Sequence, residues 1–213
     1  MVPTFFLITL LLIAWIYYQR AHTDHIRKSK EEAFWEKENR ANTMRKKDIS
    51  SLNYIQVPLE NLPFPETDDE ELSETQEKLR FLATQKIVNF TGITNTDLKL
   101  AYGAPNITLL TEFDQNYMEL VRTLYKYGRL LYQAGRIADA KTVLEYGLTV
   151  CTDVSANYTL LAEIYKEENE ASRIDFVIEQ AEKLNSMTKN ALLSSLMAIR
   201  NSAIGEEKRI NQP

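Results

Sequence analysis

Two consecutive stretches decide the fold: Val121–Val154, VRTLYKYGRLLYQAGRIADAKTVLEYGLTVCTDV, and Ser155–Thr188, SANYTLLAEIYKEENEASRIDFVIEQAEKLNSMT. Laid over one another from their first residues, Val121 on Ser155, their small and apolar positions coincide. Leu124 falls on Tyr158, Tyr127 on Leu161, Gly128 on Ala162 and Leu131 on Tyr165. The register persists further on, where Val143 falls on Val177, Leu144 on Ile178 and Gly147 on Ala181. Apolar residues three and four apart mark one face of a helix, and Gly135 between the two runs of the first stretch marks a helix end. Each stretch reads as a helix–turn–helix unit. A further step of the same offset puts Leu196 at the small-residue position, so residues 189–204 read as a single capping helix that covers the last apolar face of a stack. A polar tail, residues 206–213, follows.

This pattern, with its period of about 34 residues, resembles the tetratricopeptide repeat (TPR) family, in its membrane-anchored bacterial type. Gly128-Arg-Leu-Leu131, then Gly135-Arg-Ile-Ala-Asp-Ala140 and Leu144-Glu-Tyr-Gly147, carry the resemblance in the first repeat, residues 121–154. The second, residues 155–188, departs from the family: Ile174 replaces the small residue of the second helix, Asn169 replaces the inter-helix glycine, and neither repeat ends in the usual proline. The resemblance implies a short α-solenoid with small residues where antiparallel helices touch, and a binding face made by the first helix of each repeat. Its exposed positions map onto Arg122, Tyr125, Arg129, Tyr132 and Gln133, and onto Thr159, Glu163, Lys166 and Glu167. The implied partner is a protein or peptide. Arg122 and Arg129 suit a carboxylate-bearing segment, and Arg and Tyr are enriched where interfaces gain most of their energy. Tyr125 and Arg129 do not match the Lys and Asn of the chaperone-tail clamp that some members carry.

At the N-terminus, Val2–Tyr18 (VPTFFLITLLLIAWIYY) holds no charge. As a helix it is roughly 25 Å long at about 1.5 Å per residue, the short end of a bilayer span. Trp15, Tyr17 and Tyr18 gather at one end, as headgroup-level aromatic residues do, and Arg20, Arg27, Lys28 and Lys30 follow. No basic residue precedes the run and its C-terminal end is bulky, which disfavours a cleaved signal peptide. Residues 1–18 therefore read as an uncleaved single-pass anchor, with the remainder cytoplasmic by the position of the basic residues. Residues 19–47 read as a continuing helix, a basic juxtamembrane segment with nine Lys/Arg against five Asp/Glu, a net +4. It suits contact with anionic lipid, Phe34 and Trp35 dipping into the interface. Its apolar residues are too sparse for a heptad seam, and mixed charges without a recognition motif disfavour nucleic acid.

Pro58, Pro63 and Pro65 make residues 48–72 an extended, acidic connector. Leu52, Tyr54, Ile55, Val57, Leu59, Leu62 and Phe64 are too apolar for a solvated linker, so this strip is expected to lie in a groove of the helical domain. That domain, residues 73–205, opens on a capping box, Ser73-Glu74-Thr75-Gln76. Its first helix is expected to reach Gly92, a second to run from Thr94 or Thr96 to Gly103, and a third from Asp114 to Ala134.

Composition bounds the remaining classes. With 44% hydrophobic and 26% charged residues and a net charge of −5 over 213 residues, the chain is neither disordered throughout, nor collagen-like, nor polytopic. Six glycines and six prolines are too few for a turn-rich sandwich, so the class is all-α. One cysteine, Cys151, excludes an internal disulfide and is expected buried as a small hydrophobe. His22 and His25 lack a third metal ligand nearby, and no phosphate loop, GxSxG or HExxH occurs. The expectation is an adaptor rather than an enzyme, without cofactor or metal. An obligate structural subunit of a membrane complex is the alternative. The Asn-x-Thr sequons at Asn89, Asn106 and Asn157 carry no meaning in a cytoplasmic domain.

Overall fold

The structure, a computed structural model, describes residues 4–210, without the side chains of Thr4, Phe5, Ala21, Ile26 and residues 206–210. Among the described residues there are eight α-helices and no strand: α1 (Thr4–Asn42), α2 (Glu70–Ala83), α3 (Asn95–Tyr102), α4 (Ile107–Gln133), α5 (Ile137–Thr149), α6 (Ser155–Glu167), α7 (Ala171–Glu182) and α8 (Lys189–Ile210). The chain divides into two compact units, residues 1–49 with 93–108 and residues 50–92 with 109–213.

In the first unit, a run free of glycine and proline gives one helix of 39 residues, α1. From Phe6 to Tyr18 its large apolar side chains are exposed all round, Leu11 by 70% and Tyr17 by 72%. Among the described residues no helix is long and apolar enough to cross a membrane; the expected span starts at Val2, outside them. The C-terminal turns of α1 hold α3. Ala41 and Leu98 are buried, Lys37 pairs with Asp97 at 2.6 Å, and the Thr96 hydroxyl donates to Glu38 at 2.6 Å. Lys99 pairs with the same Glu38, and that ammonium first, then the Thr96 hydroxyl, holds the Glu38 carboxyl below its ordinary range. Thr94 caps the start of α3. At its end the Lys47 ammonium donates to the carbonyls of Leu100 (3.0 Å) and Ala101 (2.9 Å), orphan acceptors of a helix terminus. Gly103, at φ +93°, is required twice over: the backbone is left-handed there, and a Cβ would run into the Arg45 carbonyl.

The second unit carries the main core, in which Leu79, Leu124, Leu131, Val143, Leu144, Leu161, Ile174, Val177 and Leu196 are fully buried. Its first helix starts earlier than the capping box suggested. Asp69, not Ser73, is the N-cap and accepts from the Leu72 N–H at 2.9 Å, with Glu70 and Glu71 in the dipole-favoured first turn. That helix also stops at Ala83 rather than near Gly92, because Ile87 and Val88 bond across to other segments: the Ile55 N–H donates to the Ile87 carbonyl and the Val88 N–H to that of Phe113. α4 begins at Ile107 rather than at Asp114, straight after the turn containing Pro105.

The helix pairs α4–α5 and α6–α7 close with the same device, at Gly135 and at Asn169. Gly135 (φ +75°) and Asn169 (φ +58°) both turn left-handed, the region that Gly and Asn tolerate best. The next N–H reaches back to the last turn of the helix in each case, Arg136 to the Leu131 carbonyl (2.9 Å) and Glu170 to that of Tyr165 (2.8 Å), the Schellman pattern. α8 packs on α6 and α7 through Leu192 and Leu196 and runs to Ile210, through most of the expected polar tail; residues 211–213 lie outside the described ones.

The apolar strip Leu52–Phe64 packs against this core. Leu62 is buried and Ile55, Val57 and Phe64 are half-buried. The Tyr146 hydroxyl donates to the Gln56 carbonyl at 3.1 Å, and the Tyr127 hydroxyl donates to that of Pro63. Phe64 stacks on the Tyr127 ring, and the Arg80 guanidinium lies over the Phe64 ring, 4.5 Å from its centroid.

Candidate functional site

α2 and α4 lie antiparallel in the second unit, joined by two ion pairs one heptad apart, Lys78 with Glu119 and Lys126 with Glu71 (2.9 Å). Between the pairs an open groove of about 450 Å³ is lined by Glu74, Thr75, Lys78, Glu119, Arg122, Thr123 and Lys126. Helical spacing explains the lining: residues 119, 122, 123 and 126 share one face of α4, and 71, 74, 75 and 78 one face of α2. The hydrogen bond from Lys78 is the chief reason that the Glu119 carboxyl is held below its ordinary range. The Arg122 side chain, 68% exposed, stands 4.0 Å from Glu119 and keeps most of its donors toward solvent.

Of the nine residues expected on the binding face, Arg122 alone lines this groove. Arg129 and Gln133 are exposed on the same face of α4. Tyr125 and Tyr132 are half-buried and pack against the core. Tyr132 is also committed, its hydroxyl donating to Glu167 of α6 at 2.7 Å, a bond that raises its pKa. Glu163 and Lys166 are half-buried on α6, and the Thr159 hydroxyl bonds back to its own helix. The sequence reading missed the contribution of α2. Its signal was present, since Glu71, Glu74 and Lys78 repeat at helical spacing beside the apolar Leu72, Leu79 and Leu82. The strip Leu52–Phe64, with Pro65 after it, runs along Gln76, Arg80, Tyr127 and Tyr146, a different set from the groove lining.

Cys151 is exposed, contrary to expectation. It takes the left-handed turn after α5 (φ +59°), which aims it outward while its neighbours Val150 and Thr152 are buried. Among the described residues no cluster of His, Cys, Asp or Glu has the makings of a metal site. Compared with known proteins, the chain matches no family model, no curated protein and no solved structure.

Proposed function

We propose that the chain is a single-pass, membrane-anchored adaptor whose TPR-like helical part binds a protein segment along the face shared by α2, α4 and α6. The observation that carries this reading is the open groove between α2 and α4, with Arg122 exposed over it and Arg129 two turns along the same face. A carboxylate-bearing segment is the partner chemistry that two exposed guanidinium groups favour, since each offers a fork of donors matched to two oxygens. The TPR-like reading draws support from the closing device that α4–α5 and α6–α7 share at equivalent positions, and from Gly128 and Ala162, both buried at equivalent positions.

The anchor draws support from the uncovered apolar surface of Phe6–Tyr18, far more than a water-facing helix exposes. The basic residues after it keep the second unit on the cytoplasmic side in this reading. Because α1 is one continuous helix, Phe34 stands more than four turns beyond Tyr18, about 24 Å along its axis. Contact with anionic headgroups then belongs to Arg20, Arg27, Lys28 and Lys30 rather than to the Phe34–Trp35 pair.

A photo-crosslinking side chain at position 122, compared with one at Phe176 on α7, tests the groove in native membranes. Adducts from 122 that disappear in an Arg129→Ala chain are the expected result; equal adducts from both positions would leave the groove without a role. Removing residues 2–18 should release the chain from the membrane fraction.

A further inference from the structure

Two of the three Asn-x-Thr sequons are built into the core. Asn106, fully buried in the first unit, donates both amide hydrogens, to the carbonyls of Lys47 and Tyr102, each at 2.8 Å. It thereby ties the segment after α1 to the end of α3. Asn157, fully buried in the second unit, donates to the Leu144 carbonyl at 3.0 Å and lies against Gly147, so closely that a Cβ on that glycine would come within 3.0 Å of its amide nitrogen. Asn89 differs: it is half-buried, it accepts from the Thr91 N–H at 2.8 Å, and it borders an open pocket.

N-glycosylation replaces one hydrogen of the asparagine amide nitrogen with a bond to the anomeric carbon of a sugar. The lipid-linked diphosphate departs as the leaving group, and the displaced proton is lost from the nitrogen. At Asn106 that hydrogen already holds a backbone carbonyl, and at neither position is there space for a sugar ring beside the nitrogen. The modification takes place on the nascent chain as it enters the lumen, before burial protects these nitrogens, and both sequons carry the Thr that the transferase reads.

We infer that both units of this chain fold only on the side of a membrane where N-glycosylation does not occur, because carbohydrate at Asn106 or Asn157 is incompatible with the fold. The inference goes beyond the proposed function and uses neither the groove nor the count of basic residues. It makes Asn89 the one sequon of the three whose modification the fold tolerates.

The test begins with peptide mapping of the full chain from its native membranes, where Asn106 and Asn157 should be free of N-linked sugar; sugar on either overturns the inference. A lysine run added before Met1 of the full chain then reverses the charge bias and directs the C-terminal part into mammalian microsomes, with sugar on Asn89 reporting arrival. The lumenal chain should acquire sugar on Asn106 and Asn157 and be digested by protease. A Thr108→Ala, Thr159→Ala chain, which keeps both asparagines but neither sequon, should be as resistant as chain made without microsomes. A resistant lumenal chain with or without sugar at the two sites overturns the inference, as does a double variant digested like the parent. No sugar even at Asn89 counts against the proposed anchor instead, and the native map then decides the inference.

Discussion

A Cβ built on Gly128 would stand 2.7 Å from both Cγ and Cδ2 of Leu144, well inside the roughly 3.5–4.0 Å that carbon atoms keep at contact. Gly128→Leu should therefore overpack the α4–α5 contact and destabilise the chain by about 1–3 kcal/mol or more. Leu144→Ala should cost about 2–5 kcal/mol through lost burial and a cavity. Since Leu144→Ala removes what a Cβ at position 128 collides with, Gly128→Ala with Leu144→Ala should lose less than the sum of Gly128→Ala and Leu144→Ala taken singly. Urea melts measure all of these, and strictly additive losses would mean that the two residues do not touch. A second prediction concerns the left-handed turn at Asn169. Asn169→Gly should melt within about 0.5 kcal/mol of the parent, while the β-branched Asn169→Ile should lose about 1–2 kcal/mol. Equal melting of the two would remove the turn. The small residue at 128 was legible because its environment recurs one repeat later, at Ala162. The exposure of Cys151 was not: it lies where helical periodicity ends, and a single reversal of the chain turns it outward between two buried neighbours.

At the scale of elements, apolar periodicity reveals helices but not where they stop. Ile87 and Val88 continue the apolar pattern of α2, yet their backbone groups pair with Ile55 and Phe113, partners distant in sequence that local propensity does not contain. α3 was recognisable from Thr94 and Gly103, but its packing on α1 depends on Glu38, Ala41 and Lys47, far back along the chain. The groove was only partly legible for a related reason: of the expected α4 residues Arg122 alone lines it, and the register that brings Lys78 and Glu71 of α2 opposite Glu119 and Lys126 is a tertiary fact. The strip Leu52–Phe64 behaves as a structural element, since it satisfies two tyrosine hydroxyls and contributes Leu62 to the core. Tyr127→Phe should cost about 0.5–1.5 kcal/mol for the lost hydrogen bond. Deleting residues 52–64 should abolish cooperative melting of the second unit; retention of the parental transition would make the strip a plain linker.

For the molecule as a whole, alkaline pH is the expected weakness. Burial raises the phenol pKa of Tyr127 and Tyr146 from 10 to about 12. It is also the leading cause of the increase at Tyr117, Tyr158 and Tyr165, aided at Tyr165 by the bond to Glu145. A folded pKa above the unfolded one means that the folded state holds the proton more tightly. The stability that these groups contribute is fully present below pH 10 and is lost as pH climbs through 12. Stability should thus be flat across neutral pH and fall steeply above pH 10, with phenolate absorbance appearing together with loss of helical circular dichroism. Ionisation of all the tyrosines near pH 10 with the helices intact would contradict their burial.

Both tryptophans of the chain, Trp15 and Trp35, lie on α1, and the fully buried tyrosines all lie in the second unit. Indole emission accordingly belongs to the first unit, and the ultraviolet circular dichroism of immobilised phenol rings to the second, so two optical channels read two bodies in one cuvette. The indoles, 63% and 54% exposed, should emit at long wavelength in buffer whatever the state of the helical unit. In a Trp35→Phe chain the emission comes from Trp15 alone. Addition of phospholipid vesicles should shift it to the blue while the phenol signal stays still, and an emission that keeps its aqueous colour would mean that this indole never enters lipid.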